Sequence, residues 1–184
     1  MDTSFLTSSL KQFEYYKSLG DKTLQQLTED QVFQTPNSES NSIAIIVKHM
    51  AGNMLSRWTN FLTEDGEKEW RNRDDEFLNT FTTKHEVIAH WEKGWNCLLN
   101  TINSLTTDDL EKIIYIRNQG HTVTEAIQRQ LCHYSYHVGQ LVFLGKTITN
   151  SNWKSLSIAK NSSENYNSTK FNQPKSRKHF TEDL

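Results

Sequence analysis

His133 and His137 stand four residues apart in Leu131-Cys132-His133-Tyr134-Ser135-Tyr136-His137-Val138-Gly139-Gln140-Leu141. On a helix that spacing stacks two imidazoles one turn apart on one face. Both can lean onto a single cation, and zinc, nickel or iron(II) accept such a nitrogen pair. Between Val123 and Leu144 the residues Val123, Ile127, Leu131, Tyr134, Val138 and Leu141 recur at helical spacing, so the histidines border a buried stripe. A pair of hydrogen-bonded core histidines would give the same pattern. The choice depends on a third ligand.

His49 is the candidate. It lies on a helix expected over about residues 42 to 63, with Ser42 as N-cap and Ile45, Ile46, Met50, Trp58 and Phe61 as apolar cover. Asn53 follows it by one turn and Arg57 by two, a polar ridge on an otherwise apolar helix. Taken alone, a satisfied core histidine accounts for His49. Gln130, Tyr136 and Gln140 lie within a turn of His133 or His137, and with Asn53 they are expected to orient the imidazoles. For Tyr136, plain packing with its hydroxyl at the surface fits equally well.

The remaining elements must bring these residues together. Residues 3 to 28 read as a first helix, with Gly20 as a weak point, and Thr35-Pro36-Asn37-Ser38 ends that region. Residues 64 to 82 form a long, charged connection that carries Trp70, Phe77 and Phe81 and is expected to lie over the domain. Its Arg71 and Arg73 are within reach of an anionic ligand; a charge network with Asp74, Asp75 and Glu76 is the competing expectation. Thr83-Lys84-His85-Glu86 is a capping box opening a helix at about 83 to 104, and His85 and His90 on it read as surface residues. Leu105-Thr106-Thr107-Asp108-Asp109-Leu110 echoes Leu27-Thr28-Glu29-Asp30-Gln31, and Ile113-Ile114-Tyr115-Ile116 is a short extended stretch. Thr122-Val123-Thr124-Glu125 is a second capping box, opening the helix of His133 and His137. The expectation is all-α: a four-helix bundle over residues 1–148 with a long crossover between helices two and three, then a C-terminal extension over 149–184, partly docked then flexible. In such a bundle His49 completes the pair, and three imidazoles leave positions open on a metal, as catalytic sites do.

Composition narrows the function classes. A net charge of −2 with no basic stripe before the tail argues against nucleic acid as the partner. Cys97 and Cys132 read as buried thiols of a reducing compartment. The start of the chain lacks the charged and apolar regions of a signal peptide, and no apolar run approaches a membrane span, so a cytoplasmic protein without membrane contact is expected. Apolar residues on the connection suggest a homodimer.

Ile46-Val47-Lys48-His49-Met50-Ala51-Gly52-Asn53, the long crossover and His133-x-x-x-His137 resemble the DinB-like superfamily. Ser56 to Lys68, Trp70-Arg71-Asn72-Arg73-Asp74, His121 to Leu131 and His137-Val138-Gly139-Gln140 resemble a branch of it described only as a domain of unknown function. The resemblance covers roughly residues 1 to 160. It implies an up-down-down-up bundle, often dimeric, with a divalent metal (zinc, nickel or iron) on His49, His133 and His137. Relatives include bacillithiol S-transferases and mycothiol-dependent isomerases, so it also implies a small-molecule substrate and a low-molecular-weight thiol as cofactor. The physics agrees, since a divalent cation stabilises a thiolate at neutral pH. A metal-dependent thiol S-transferase or hydrolase is expected, with Arg57, Arg71 or Arg73 at the pocket rim; the sequence places no carboxylate as a general base, and Glu67 or Asp74 would have to swing in from the crossover. The alternative is a non-enzymatic stress-related or ligand-binding protein that retains a metal site.

Overall fold

The computed structural model describes residues 4–183 and is mostly helical. Six helices, α1 (Ser4–Gln26), α2 (Glu29–Phe33), α3 (Ile43–Trp58), α4 (Lys84–Ser104), α5 (Val123–Thr149) and α6 (Ser163–Phe171), accompany one hairpin, β1 (Ile113–Ile116) and β2 (Gln119–Thr122). The expected helix start at Thr3 lies outside the described residues. Among the described residues no helix is long and apolar enough to cross a membrane.

Side-chain caps set the helix starts. Ser42 Oγ accepts the Ile45 N–H at 3.3 Å. Thr83 with Glu86 and Thr122 with Glu125 close reciprocal capping boxes at the starts of α4 and α5. The echo after the first helix extends to the caps: Gln31 accepts the Thr28 N–H at 2.9 Å and Asp109 accepts the Thr106 N–H at 2.8 Å.

The four long helices share one core. α1 packs along α5 and touches α4, while α3 packs along α4 and touches α5. Phe13, Trp58, Trp91, Trp95 and Tyr134 fill its centre, and all five are buried. Trp58 Nε1 donates to the Tyr134 hydroxyl at 3.1 Å, which donates in turn to Asn53 Oδ1 at 2.9 Å. Gly20 is no weak point: a Cβ there would come within 2.2 Å of the Trp91 ring, so the missing side chain lets α1 approach α4.

α3 ends at Trp58, earlier than expected. Asn60 takes a left-handed φ of 49°, a conformation that stops helices, and its carbonyl accepts from Thr63 and Glu64. The chain then turns back along α3. Ser56 Oγ donates to the Gly66 carbonyl at 2.8 Å and accepts the Lys68 N–H at 3.0 Å, which holds the connection down. Further on, Lys48 Nζ donates to the carbonyls of Asp75 and Leu78 and pins a short 3-10 turn, Asp74–Phe77, beside α3. The expected extended stretch at Ile113 is one strand of the hairpin, in which Ile113 pairs with Thr122 and Ile116 with Gln119. Its two-residue loop, Arg117-Asn118, has φ of 56° and 60°. That is a turn shape which usually calls for Asn-Gly. Here Asp65 accepts both loop N–H groups at 2.8 Å and holds it.

Three other expectations need correction. Cys132 is exposed on α5 and Cys97 half-buried, because each lies beside rather than on its helix's buried stripe. His90 is half-buried with its ring edge 5.0 Å from Phe81, whereas His85 is exposed. Of the apolar residues on the connection, Phe77 and Phe81 are partly covered within the chain and Trp70 is 61% exposed. Beyond α5, Trp153 packs on Gly145, Lys154 exchanges backbone hydrogen bonds with the Gln26 side chain, α6 has no buried residue, and Ser8 and Lys11 of α1 meet His179 and Glu182.

Candidate metal centre

α5 carries His133 and His137 on one face, and their Nε2 atoms lie 3.1 Å apart. His49 enters from α3, with its ring centre 4.9 Å from that of His137 and 5.6 Å from that of His133. One nitrogen from each ring falls within 4.8 Å of the others, a group that could hold a metal ion; His49 is buried and the other two half-buried.

Neighbours fix which nitrogen is free. Glu76 Oε2 lies 2.9 Å from His49 Nδ1. A carboxylate only accepts, so Nδ1 is the donor in this contact and Nε2 is the nitrogen left to face a cation. Gln140 Oε1, 2.8 Å from His137 Nδ1, does the same for that ring. The Nε2 lone pair of His137 then points at His133 Nε2, an approach that requires a proton or a cation between the two. Acceptors behind imidazoles orient metal ligands in this way. Burial, then the neighbouring His137 and His49 and the charges of Arg57 and Arg71, push His133 down to about 3. Burial also lowers His137, against the Gln140 hydrogen bond. Both rings are therefore neutral at pH 7, the form that binds metal.

Glu76 is itself held. Arg71 grips it with Nε on Oε1 at 2.7 Å and Nη2 on Oε2 at 2.9 Å. Burial pushes this carboxyl up, but the hydrogen bonds from His49 and Arg71 and the Arg71 charge outweigh it and leave it below its ordinary range. Gly52, one turn after His49, makes the room: a Cβ there would fall 2.3 Å from Glu76 Oε1. Phe77 closes the other side, stacked on the His49 ring at 5.0 Å.

The cluster opens into a cavity of about 510 Å³. All ten residues singled out from the sequence line it: the three histidines with Asn53, Arg57, Arg71, Arg73, Gln130, Tyr136 and Gln140. Their roles divide. Gln140 orients His137, but Asn53 Oδ1 is taken by the core hydroxyl of Tyr134 and reaches no imidazole. Gln130 is buried and its Oε1 accepts no hydrogen bond. Tyr136 is 62% exposed with its ring edge against His137, at 5.0 Å between centres. Arg57 donates to the Gly66 carbonyl and to Glu67. Arg73 lies over the Phe77 ring at 5.0 Å.

Neither Glu67 nor Asp74, the carboxylates expected to reach in, lines the cavity. Glu67 is held by Arg57, Arg71 and Arg117, and Asp74 is exposed. The carboxylate that matters is Glu76, which sequence reasoning had placed only in a charge network. Gly52 was its signal, a glycine one turn past a candidate ligand inside a buried helix. Arg117, Arg129, Phe77, Ile46 and Asn41 also line the cavity and were missed. A family model described as a protein of unknown function, DUF1572, matches residues 1–162. No curated protein matches the chain.

Proposed function

The chain thus belongs to the DUF1572 family, and on that premise we propose that it binds a divalent metal on His49, His133 and His137 and acts on a small molecule there. The observation that carries this reading is the convergence of three imidazoles, two of them with Nδ1 engaged behind and Nε2 left toward the cluster. An all-imidazole set suits zinc, nickel or iron(II), and three protein ligands leave room for substrate. When bound, such an ion supplies a Lewis acid that keeps a small thiol ionised or polarises a substrate oxygen. Glu76 and Gln140 hold the rings in register, Arg71 holds Glu76 ionised, and Phe77 keeps water from one face of His49.

Transfer involving a low-molecular-weight thiol is the reaction favoured here, with hydrolysis next. The same reading places the chain in the DinB-like superfamily, with α1, α3, α4 and α5 running up-down-down-up. The long connection between α3 and α4 supports that order. A homodimer would cover the exposed Trp70, and two unjoined cysteines suit a cytoplasmic protein.

One observation favours the non-enzymatic reading, a stress-related or ligand-binding protein. Among the described residues no Asp, Glu, Ser or Cys lines the cavity, so the chain offers no carboxylate base or nucleophile there. Incubating metal-loaded protein with bacillithiol and a chlorobimane separates the two. Thiol transfer predicts a rate above that without protein, lost in His133→Ala. Equal rates in all three samples would remove thiol transfer and leave hydrolysis or binding.

A further inference from the structure

Arginine is unevenly placed in this chain. Arg57, Arg71, Arg73, Arg117 and Arg129, five of its six arginines, line the one cavity beside the histidines, and none of its 14 lysines does. A surface selected only for positive potential would use both cations. A guanidinium differs by offering a flat fork of donors that matches the edge of a carboxylate or phosphate.

The protein engages part of this set. Arg57 and Arg71 pair with Glu67 and Glu76, and Arg117 reaches Glu67 at 3.3 Å. Arg73 and Arg129 pair with no carboxylate among the described residues. Arg73 places its Cζ over the Phe77 ring at 5.0 Å and its guanidinium makes no hydrogen bond among the described residues, and Arg129 has only a 3.4 Å contact with His121. Two 5.0 Å steps, from the His49 ring to Phe77 and from Phe77 to Arg73, put this guanidinium within about 10 Å of the His49 ring. A molecule a few bonds long spans that gap. Gln130 gives a separate sign of a ligand: it is 3% exposed, lines the cavity, and its Oε1 has no donor.

We propose that Arg73 and Arg129 form an anion subsite for a small molecule bearing a carboxylate or phosphate, whose other end reaches the histidine cluster and whose N–H or O–H meets Gln130. Only the second end rests on the metal reading; the subsite stands on the arginines alone.

Calorimetry on the full chain at physiological ionic strength tests it, with succinate, inorganic phosphate and neutral succinamide as probes and metal content measured on each sample. At least one anion is expected to bind, succinamide is not, and whichever anion binds more tightly identifies the group recognised. Arg73→Gln with Arg129→Gln should weaken that anion about tenfold or more. The paired Lys variants should recover part of the loss, and Arg177→Gln, outside the cavity, none of the loss should appear in. Circular dichroism checks that each variant folds. If the folded protein takes up no metal yet still binds the anion, that failure of uptake sinks the metal reading and the subsite stands. Unaltered affinity in the double Gln variant, or no binding of either anion to folded protein, overturns the subsite whatever the metal content.

Discussion

His133 and His137 share α5 and meet through its period alone, whereas His49 comes from α3 and is aimed by Glu76, 27 residues further along in an irregular connection. On α5 the backbone does the positioning, and a single neutral hydrogen bond, accepted by Gln140 from His137, completes it. On the α3 side position depends on a relay: Lys48 pins the 3-10 turn, Arg71 clamps Glu76, Gly52 leaves room, and Glu76 orients His49. The periodic half therefore tolerates local change, and the assembled half has several points at which one substitution unseats a ligand.

Removing a ligand should erase the contrast. His49→Ala and His133→Ala are each expected to weaken metal binding by more than about 100-fold in competition with a chelating dye. If His49→Ala keeps wild-type affinity, the site is a two-histidine site on α5 and the comparison fails. Outside the ligands the halves should diverge. Glu76→Gln keeps the shape but loses the charge, and a loss of about 10- to 100-fold in metal affinity is expected. Gln140→Ala should cost about tenfold or less, because α5 still presents His137. A larger loss for Gln140→Ala than for Glu76→Gln would reverse the ranking.

Two smaller effects sharpen it. Gly52→Ala drives a methyl into the Glu76 carboxylate, so about 1–3 kcal/mol of stability should go, together with part of the metal affinity. Asn53→Ala should lower stability by about 1–2 kcal/mol in urea unfolding while metal binding stays as it was. Its Oδ1 serves Tyr134 in the core, not an imidazole.

The same contrast explains what could be read from the sequence. His133 with His137, the Thr83–Glu86 and Thr122–Glu125 boxes, the Ser42 cap and the break at Pro36 are local patterns, and each was legible because a few neighbouring residues suffice. Glu76 was not, since it sits in a run with Asp74 and Asp75 and only the packing of the connection singles it out. The hairpin escaped because Arg117-Asn118 lacks the glycine such a turn favours; its shape is set by Asp65, 52 residues away. The early end of α3 was masked by Phe61, which continues the apolar pattern after Asn60 has already turned the chain. Five arginines around one cavity are spread through the sequence and gather only on folding.

X-ray absorption on chelator-stripped protein reloaded with zinc counts the imidazoles around the ion. One ion per chain with three imidazole nitrogens is expected, falling to two in His49→Ala. Absence of saturable uptake, or a spectrum unchanged by His49→Ala, would contradict it.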